Sequence, residues 1–340
     1  MSESTQTISP FVNARQSVAL RVAPRPTARE WLMHASLFLV TIVTTTVAGL
    51  VLAAPEIDVP SPPLRTVVDY LLFVPESYLR NVIALLGFTV QHPQLLADGF
   101  VFSGALLAIL TAHEMGHYVA CRRYGVTATL PFFIPAPPLF LAGTFGAFIK
   151  IKSPIPSRRA LFDIGLAGPL AGFVVAVPIA LLGVLSMQPA VPGGGYGVVF
   201  HDPLLFRLLS RMLGTPLDPY APINPYYMAA WIGLLVTSLN LMPVGQLDGG
   251  HGTYAIFGQR AHRVIGRVAF AVLAVLAVLG FVWYGSPSGF LYTVLLAIML
   301  RVGHPQPEEM ESLGPVRIWI AVVTLIVFAL CFWPFPITIT

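Results

Sequence analysis

The sequence predicts an all-α polytopic membrane protein, with six to seven transmembrane helices and a re-entrant hairpin beside its most polar span. Three observations carry this. Of 340 residues, 56% are hydrophobic and only 10% are charged, where a soluble domain carries about 25% charged residues. Mean hydropathy is +0.78. The apolar residues also fall into runs close to the ~20 residues that a helix needs to cross the hydrocarbon core. So few charges cannot solvate the surface of a globule this size. That excludes a disordered chain, most soluble enzymes and a nucleic-acid binder, so the lipid bilayer is an expected partner and nucleic acid is not. Cys121 and Cys331 offer neither a disulfide framework nor a cysteine zinc site and read as inert apolar thiols.

The elements follow in order. Residues 1–30 are polar with four Arg and no apolar run ahead of a small-residue cleavage site. They read as a cytoplasmic tail rather than a signal peptide, with a transit peptide as the alternative. Residues 31–340 read as a single membrane-embedded domain with its core at 98–307. Spans are expected at 31–54, 98–121, 160–186, 227–247, 264–284 and 316–333. The 288–301 run is short and spans thinly or lies half-inserted. Residues 67–90 hold Asp69, Pro75, Glu76 and Arg80, so they read as an amphipathic surface helix. The 187–226 loop is too short for a separate domain of typical size. No soluble regulatory domain and no transporter-like internal repeat is visible.

The positive-inside rule sets orientation. With the N-terminus cytoplasmic, fourteen Lys/Arg fall inside, among them Arg122, Arg123, Lys150, Lys152, Arg158 and Arg159, against four outside: Arg65, Arg80, Arg207 and Arg211. The reading is therefore a multi-pass protein of the cell membrane with a cytoplasmic N-terminus, whose cations anchor loops on anionic lipid.

Ionisable residues inside a span are functional candidates, because burying them in lipid is costly. One span holds three, in the run LTAHEMGHYVA: His113, Glu114 and His117. Positions i and i+4 share a helix face, so His113 and His117 can offer two imidazole nitrogens to one metal. Glu114 sits beside them, placed to act on an attacking water. This is the zinc-protease pattern H-E-x-x-H. A catalytic zinc wants a third protein ligand. The extended metzincin run would need Gly and His where Ala120 and Arg123 stand, so that class is excluded. Asp248, in NLMPVGQLDGGH, is the one acid between Asp218 and Glu308, and a cation is its most economical partner. A helix-capping aspartate is the alternative, and His251 and Asp163 are less well placed ligands. Depth agrees: His113 precedes the boundary residue Arg122 by nine positions, about 13 Å, and Asp248 also falls in the inner half of its span.

HEMGH at 113–117 together with NLMPVGQLDGG at 240–250 resembles the site-2 protease family of intramembrane zinc metalloproteases. GTFGAFIKIKSPIPSRRALFDIGLAGPLAG at 143–172 and GHPQP at 303–307 match it too. The resemblance implies one Zn2+ per chain held by His113, His117 and Asp248, with Glu114 as the catalytic acid/base. Asn240 matches the family's Asn ahead of the Asp-Gly pair, and donates to substrate backbone or the developing oxyanion. The resemblance also implies single-span membrane proteins as substrates, cut near the cytosolic face after an upstream site-1-type protease has trimmed them. No PDZ insertion or CBS module is seen. In that light 130–152, apolar but broken by Pro and Gly, reads as a re-entrant hairpin whose free edge binds peptide by strand addition. Gly143, Thr144, Phe145, Gly146 and Ala147 are its substrate-binding candidates; a loop packed on the bundle is the alternative. GPLAG at 168–172 reads as a close helix-packing site. Two rivals remain: a divalent-ion transporter, which would need charges in both leaflets, and an inactive helix-binding relative, which would not need Glu114.

Overall fold

A computed structural model of the chain describes residues 26–54, 59, 67–137, 140–189, 198–218, 221–222, 224–304 and 306–339. The tail at 1–25, part of the 187–226 loop and Pro305 of the GHPQP run lie outside the described residues.

The frame is mostly helical. Helix α1 (Ala28–Ala53) starts at a capping box in which the Thr27 hydroxyl accepts from the Glu30 N–H and the Glu30 carboxylate accepts from the Thr27 N–H. Helix α2 (Val67–Gln91) holds Pro75 and a Glu76–Arg80 ion pair. Helix α3 (Pro93–Arg123) opens on a proline, whose missing N–H costs nothing in the first turn. Strands β1 (Phe132–Pro135) and β2 (Thr144–Phe148) form an antiparallel hairpin. Helix α4 (Arg158–Leu185) is capped by the Ser157 hydroxyl. Strand β3 (Val198–Phe200) precedes the short helix α5 (Leu204–Leu213). Helix α6 (Pro225–Asn240) is capped by Asn224. Helices α7 (Asp248–Tyr284), α8 (Ser288–Arg301) and α9 (Pro315–Cys331) follow, then strand β4 (Ile337–Ile339).

Among the described residues, α1, α3, α4 and α7 are long and apolar enough to cross a membrane, while α8 and α9 are shorter apolar helices. Helices α3, α4 and α6 pack together at the centre, with α1 on α3 and α7 on α4. Phe102, Leu106 and Ile109 of α3 meet Leu161 and Phe162 of α4 and Met228, Trp231 and Leu234 of α6 in one buried core. Many side chains pointing away from this core, such as Val268, Val275, Trp319 and Leu325, are apolar and exposed, as a surface facing lipid requires.

Three elements differ from the sequence expectation. The 227–247 span ends at Asn240; a turn through Pro243 and Gly245, the latter at φ +54°, breaks it, and Asp248 opens α7 instead of closing α6. The 264–284 span is the second half of α7, joined to the first across a kink at Gly258, where φ is +78°. The chain is also not purely helical. Beyond the hairpin at 132–148, β3 pairs antiparallel with β4 (Val198 with Ile339, Phe200 with Ile337), tying the chain's far end to the segment before α5. No periodicity in a three-residue strand announces such a pair.

Candidate active site

Helix α3 sets His113 and His117 one turn apart, and both are buried. Their Nε2 atoms lie 3.2 Å from each other. Asp248, at the first position of α7, reaches into the same point from across α4: its Oδ2 lies 3.3 Å from His113 Nε2 and 3.4 Å from His117 Nε2. The three donor atoms thus form a nearly equilateral triangle. Three ligands on a tetrahedral ion at ~2.0–2.1 Å would stand about 3.3–3.4 Å apart, so the donor set fits zinc in kind and spacing. Among the described residues it is the one such group of three or more His, Cys, Asp or Glu.

The tautomer of His117 strengthens the fit. Its Nδ1 donates to the Ile164 carbonyl of α4 at 2.6 Å. A neutral ring so anchored turns a bare Nε2 lone pair toward the Asp248 carboxylate. Two lone pairs at 3.4 Å repel unless a cation lies between them, and an outer carbonyl partner on a ligating imidazole is the usual arrangement at zinc.

Glu114 is next to the triangle but not in it. Its side chain is 8% exposed and its Oε1 lies 4.0 Å from His113 Nε2. It accepts a hydrogen bond from the Ile149 backbone, one residue past β2, so the hairpin holds the carboxylate in place. The Asn240 amide Nδ2 lies 3.3 Å from His113 Nε2, at the last turn of α6. All five side chains line a cavity of about 700 Å3, whose other wall is the end of β2 and the segment that follows it, Ala147–Ile151.

Of the hairpin candidates, Ala147 lines this cavity and the other four do not. Gly143 is a turn residue at φ +66° that lies against the Thr44 and Thr45 backbone of α1; a Cβ there would sit 2.3 Å from the Thr44 carbonyl oxygen. The Thr144 hydroxyl bonds back to the Ile134 carbonyl at 2.8 Å. The Phe145 side chain is 60% exposed, and the Gly146 N–H bonds to Thr144. The cavity-facing stretch therefore begins at Ala147 and continues through Phe148 at the end of β2 and on through Ile149, Lys150 and Ile151, four residues that were not among the substrate-binding candidates.

Asp163 stands apart from the triangle. It accepts two bonds from Arg317, at 2.8 and 2.7 Å, and one from the Tyr124 hydroxyl. The two arginines that open α4 go elsewhere: Arg158 binds the Ala255 and Ile256 carbonyls, and Arg159 pairs with Glu311 at 3.1 Å. Arg159 stands four residues before Asp163 on the same helix face, but its guanidinium is turned to Glu311 and the Ser312 carbonyl, which leaves Arg317 of α9 to pair with Asp163.

The glycines of α4 are the part that sequence reasoning missed. A Cβ on Gly168 would lie 2.1 Å from His117 Nε2, and one on Gly172 would lie 3.2 Å from His113 Cβ. The GPLAG stretch thus packs on the two histidines themselves rather than on a generic helix surface. The 168/172 spacing, equal to that of 113/117, was the available signal.

The comparisons with known proteins agree with this geometry. Peptidase family M50 matches residues 101–282. The chain is 32% identical over 277 residues to the probable zinc metalloprotease EGY2, chloroplastic, of Oryza sativa subsp. indica, covering 76% of this chain and 48% of that protein. Its Arabidopsis thaliana counterpart is also 32% identical, over 77% and 47%. The probable zinc metalloprotease EGY1, chloroplastic, of Oryza sativa subsp. japonica is 39% identical over 52% and 31%. The chain spans about half the length of the first two. No solved structure matches it significantly. The family match covers the HEMGH helix, the hairpin, the glycine face of α4 and the Asp248 turn in one stretch, and the chain belongs to Peptidase family M50, the site-2 proteases.

Proposed function

We propose that the chain is a zinc metalloendopeptidase of the site-2 type, which hydrolyses peptide bonds in or near the transmembrane segments of single-span membrane proteins. The observation that carries this is the buried triangle of His113, His117 and Asp248 with Glu114 beside it, opening on a cavity walled by an extended strand. His113, His117 and Asp248 hold one Zn2+ per chain. Zinc, when bound there, supplies a Lewis acid that polarises a carbonyl and makes water more acidic.

The chain's own residues do the rest. The Glu114 carboxylate takes a proton from the water that attacks the scissile carbonyl carbon. It delivers that proton to the amide nitrogen as the C–N bond breaks, leaving a carboxylic acid and an amine. The Asn240 amide donates to substrate backbone or to the developing oxyanion. The stretch from Ala147 at the end of β2 to Ile151 offers backbone groups to an unwound substrate segment, which adds as a further strand. A helical substrate must unwind, since its own hydrogen bonds occupy the backbone groups such pairing needs.

The finer architecture belongs to the same reading. Helices α6, α8 and α9 join the four long helices to give six to seven spans, the hairpin enters from the cytoplasmic side, and the N-terminus is cytoplasmic. The arginine and lysine distribution supports this orientation; the cell membrane is the proposed location, although the relatives are named chloroplastic. Regulated intramembrane proteolysis, with an upstream site-1-type protease as partner, is the proposed setting.

The experiment is Glu114→Gln. The amide cannot take a proton, while the three ligands are untouched. The purified variant keeps one zinc per chain and cleaves nothing, and a single-span protein accumulates in cells that carry it. Full activity would remove Glu114 from the reaction, and loss of zinc would make it a ligand.

A further inference from the structure

A third histidine stands on the same face of α4 as the two of α3. A Cβ on Gly165 would lie 2.6 Å from His251 Cβ, as one on Gly168 would meet His117 and one on Gly172 would meet His113. Three imidazole-bearing residues thus rest on three glycines at positions 165, 168 and 172. Gly165 precedes Gly168 by about 4.5 Å along the axis, so His251 sits roughly one turn beyond His117 along the same wall. It lines the same cavity, yet it is not in the ligand triangle.

The two ring nitrogens of His251 have different surroundings. Nδ1 makes a 2.8 Å hydrogen bond with His304 Nε2. His304 in turn lies flat on Tyr254, with ring centroids 4.1 Å apart and planes 7° from parallel. The Gly303 carbonyl before it accepts from the Gln246 amide at 2.6 Å, so both backbone and ring of this segment are held. His251 Nε2 has no hydrogen-bond partner among the described residues and is not sealed from the cavity. That nitrogen is therefore available to a polar group that enters the cavity.

We propose that His251 is a further catalytic residue, which donates its Nε2–H to a substrate carbonyl oxygen, and that His304 is its positioning residue. The inference rests on the proteolytic reading above. A hydrogen bond between two neutral imidazoles holds one proton. With His304 as donor, His251 accepts at Nδ1 and carries its own proton on Nε2, where the cavity is. Histidine at 304 thereby sets both the ring orientation and the tautomer of histidine at 251.

The test uses the full chain in detergent, with unfolded β-casein as an extended probe substrate and zinc per chain as a second readout. His251→Ala lowers kcat about 100-fold, the usual cost of losing one oxyanion donor, and His251→Gln, whose amide nitrogen can occupy the Nε2 position, recovers part of the loss. His304→Ala lowers kcat about 10-fold, and His304→Gln, which can still donate to Nδ1, restores it. All four variants keep one zinc and the same Co2+ absorption spectrum as the unaltered chain. Full activity in His251→Ala overturns the proposal, and so does loss of its zinc, which would make His251 a ligand. Equal impairment of His304→Ala and His304→Gln overturns the positioning role. Absence of Glu114-dependent cleavage by the unaltered chain overturns the proteolytic reading as well.

Discussion

Gly168→Ala is the sharpest structural test of the metal centre, because it adds one methyl group and alters no donor. The new Cβ would lie 2.1 Å from His117 Nε2, 2.4 Å from Cδ2 and 2.5 Å from Cε1. That is roughly 1.4 Å inside an ordinary ~3.5 Å van der Waals contact, and it meets the face of a ring, not the end of a flexible chain. The ring must move, and its Nδ1 anchor on Ile164 at 2.6 Å resists the movement. Overpacking of this kind costs about 1–3 kcal/mol of stability. The effect on metal is larger, since ligand distances tolerate only about ±0.2 Å. A displaced His117 leaves two good ligands, and zinc affinity falls by at least about 100-fold. The assay is zinc retention against a graded chelator, with melting temperature measured alongside. Gly104→Ala on α3 is the control: nothing lies within 4 Å of its Cβ, so it keeps zinc and gains a few tenths to 1 kcal/mol of helix stability. Gly168→Ala that folds and holds zinc as tightly as the unaltered chain would refute the packing of His117 on α4.

Asp248→Asn loses zinc and cleavage, whereas Asp163→Asn keeps both and lowers the melting temperature by weakening the Arg317 pair; zinc stoichiometry on both purified variants decides, and the reverse pattern would dismantle the triangle. Cysteines introduced at Lys152 and Met212 label from opposite sides of the membrane, Lys152→Cys from the cytoplasmic side. The native thiols, both buried, stay silent, and labelling of both sites from one side would sink the orientation. Asp202 lies outside the spanning helices, and burial pushes its carboxyl above the usual aspartate value despite the Tyr227 hydroxyl bonded to it. Its protonated form is therefore favoured on folding, so stability falls as pH rises from about 4. Asp202→Asn, which cannot ionise, gains melting temperature relative to the unaltered chain as pH rises above about 4; a difference that does not change with pH would contradict the shift.

How much of this was legible in the sequence depends on the physical signal behind each element. The long spans α1, α3 and α4 lie within a few residues of their expected bounds, because a 20-residue apolar run has few other ways to exist. The 227–247 span misled because Leu241, Met242, Val244 and Leu247 continue the apolar composition through what is a turn. Hydropathy does not register that Pro243 and Gly245 end the helix. The pairing of HEMGH with Asp248 was legible from chemistry, since a buried carboxylate without a basic neighbour asks for a cation. The depth argument placed Asp248 correctly near the histidines, although it rested on the wrong helix. Arg317 as partner of Asp163, the β3–β4 pair and the cavity-facing start at Ala147 were not legible. Each is set by contacts between segments distant in sequence, and none follows from a local period.

Helix α4 shows why the residues that hold a site can look like packing residues in a sequence. It contributes no metal ligand, yet its Ile164 carbonyl fixes one imidazole, and its glycines let two helices bring histidines against its backbone. A Cβ at position 168 would occupy the space of the His117 ring, and the Ile164 carbonyl one turn earlier receives that ring's Nδ1–H. A glycine that makes room and a backbone carbonyl that accepts thus act on one histidine. Neither residue carries chemistry of its own, and only the imidazole packed on them reveals what the pair is for.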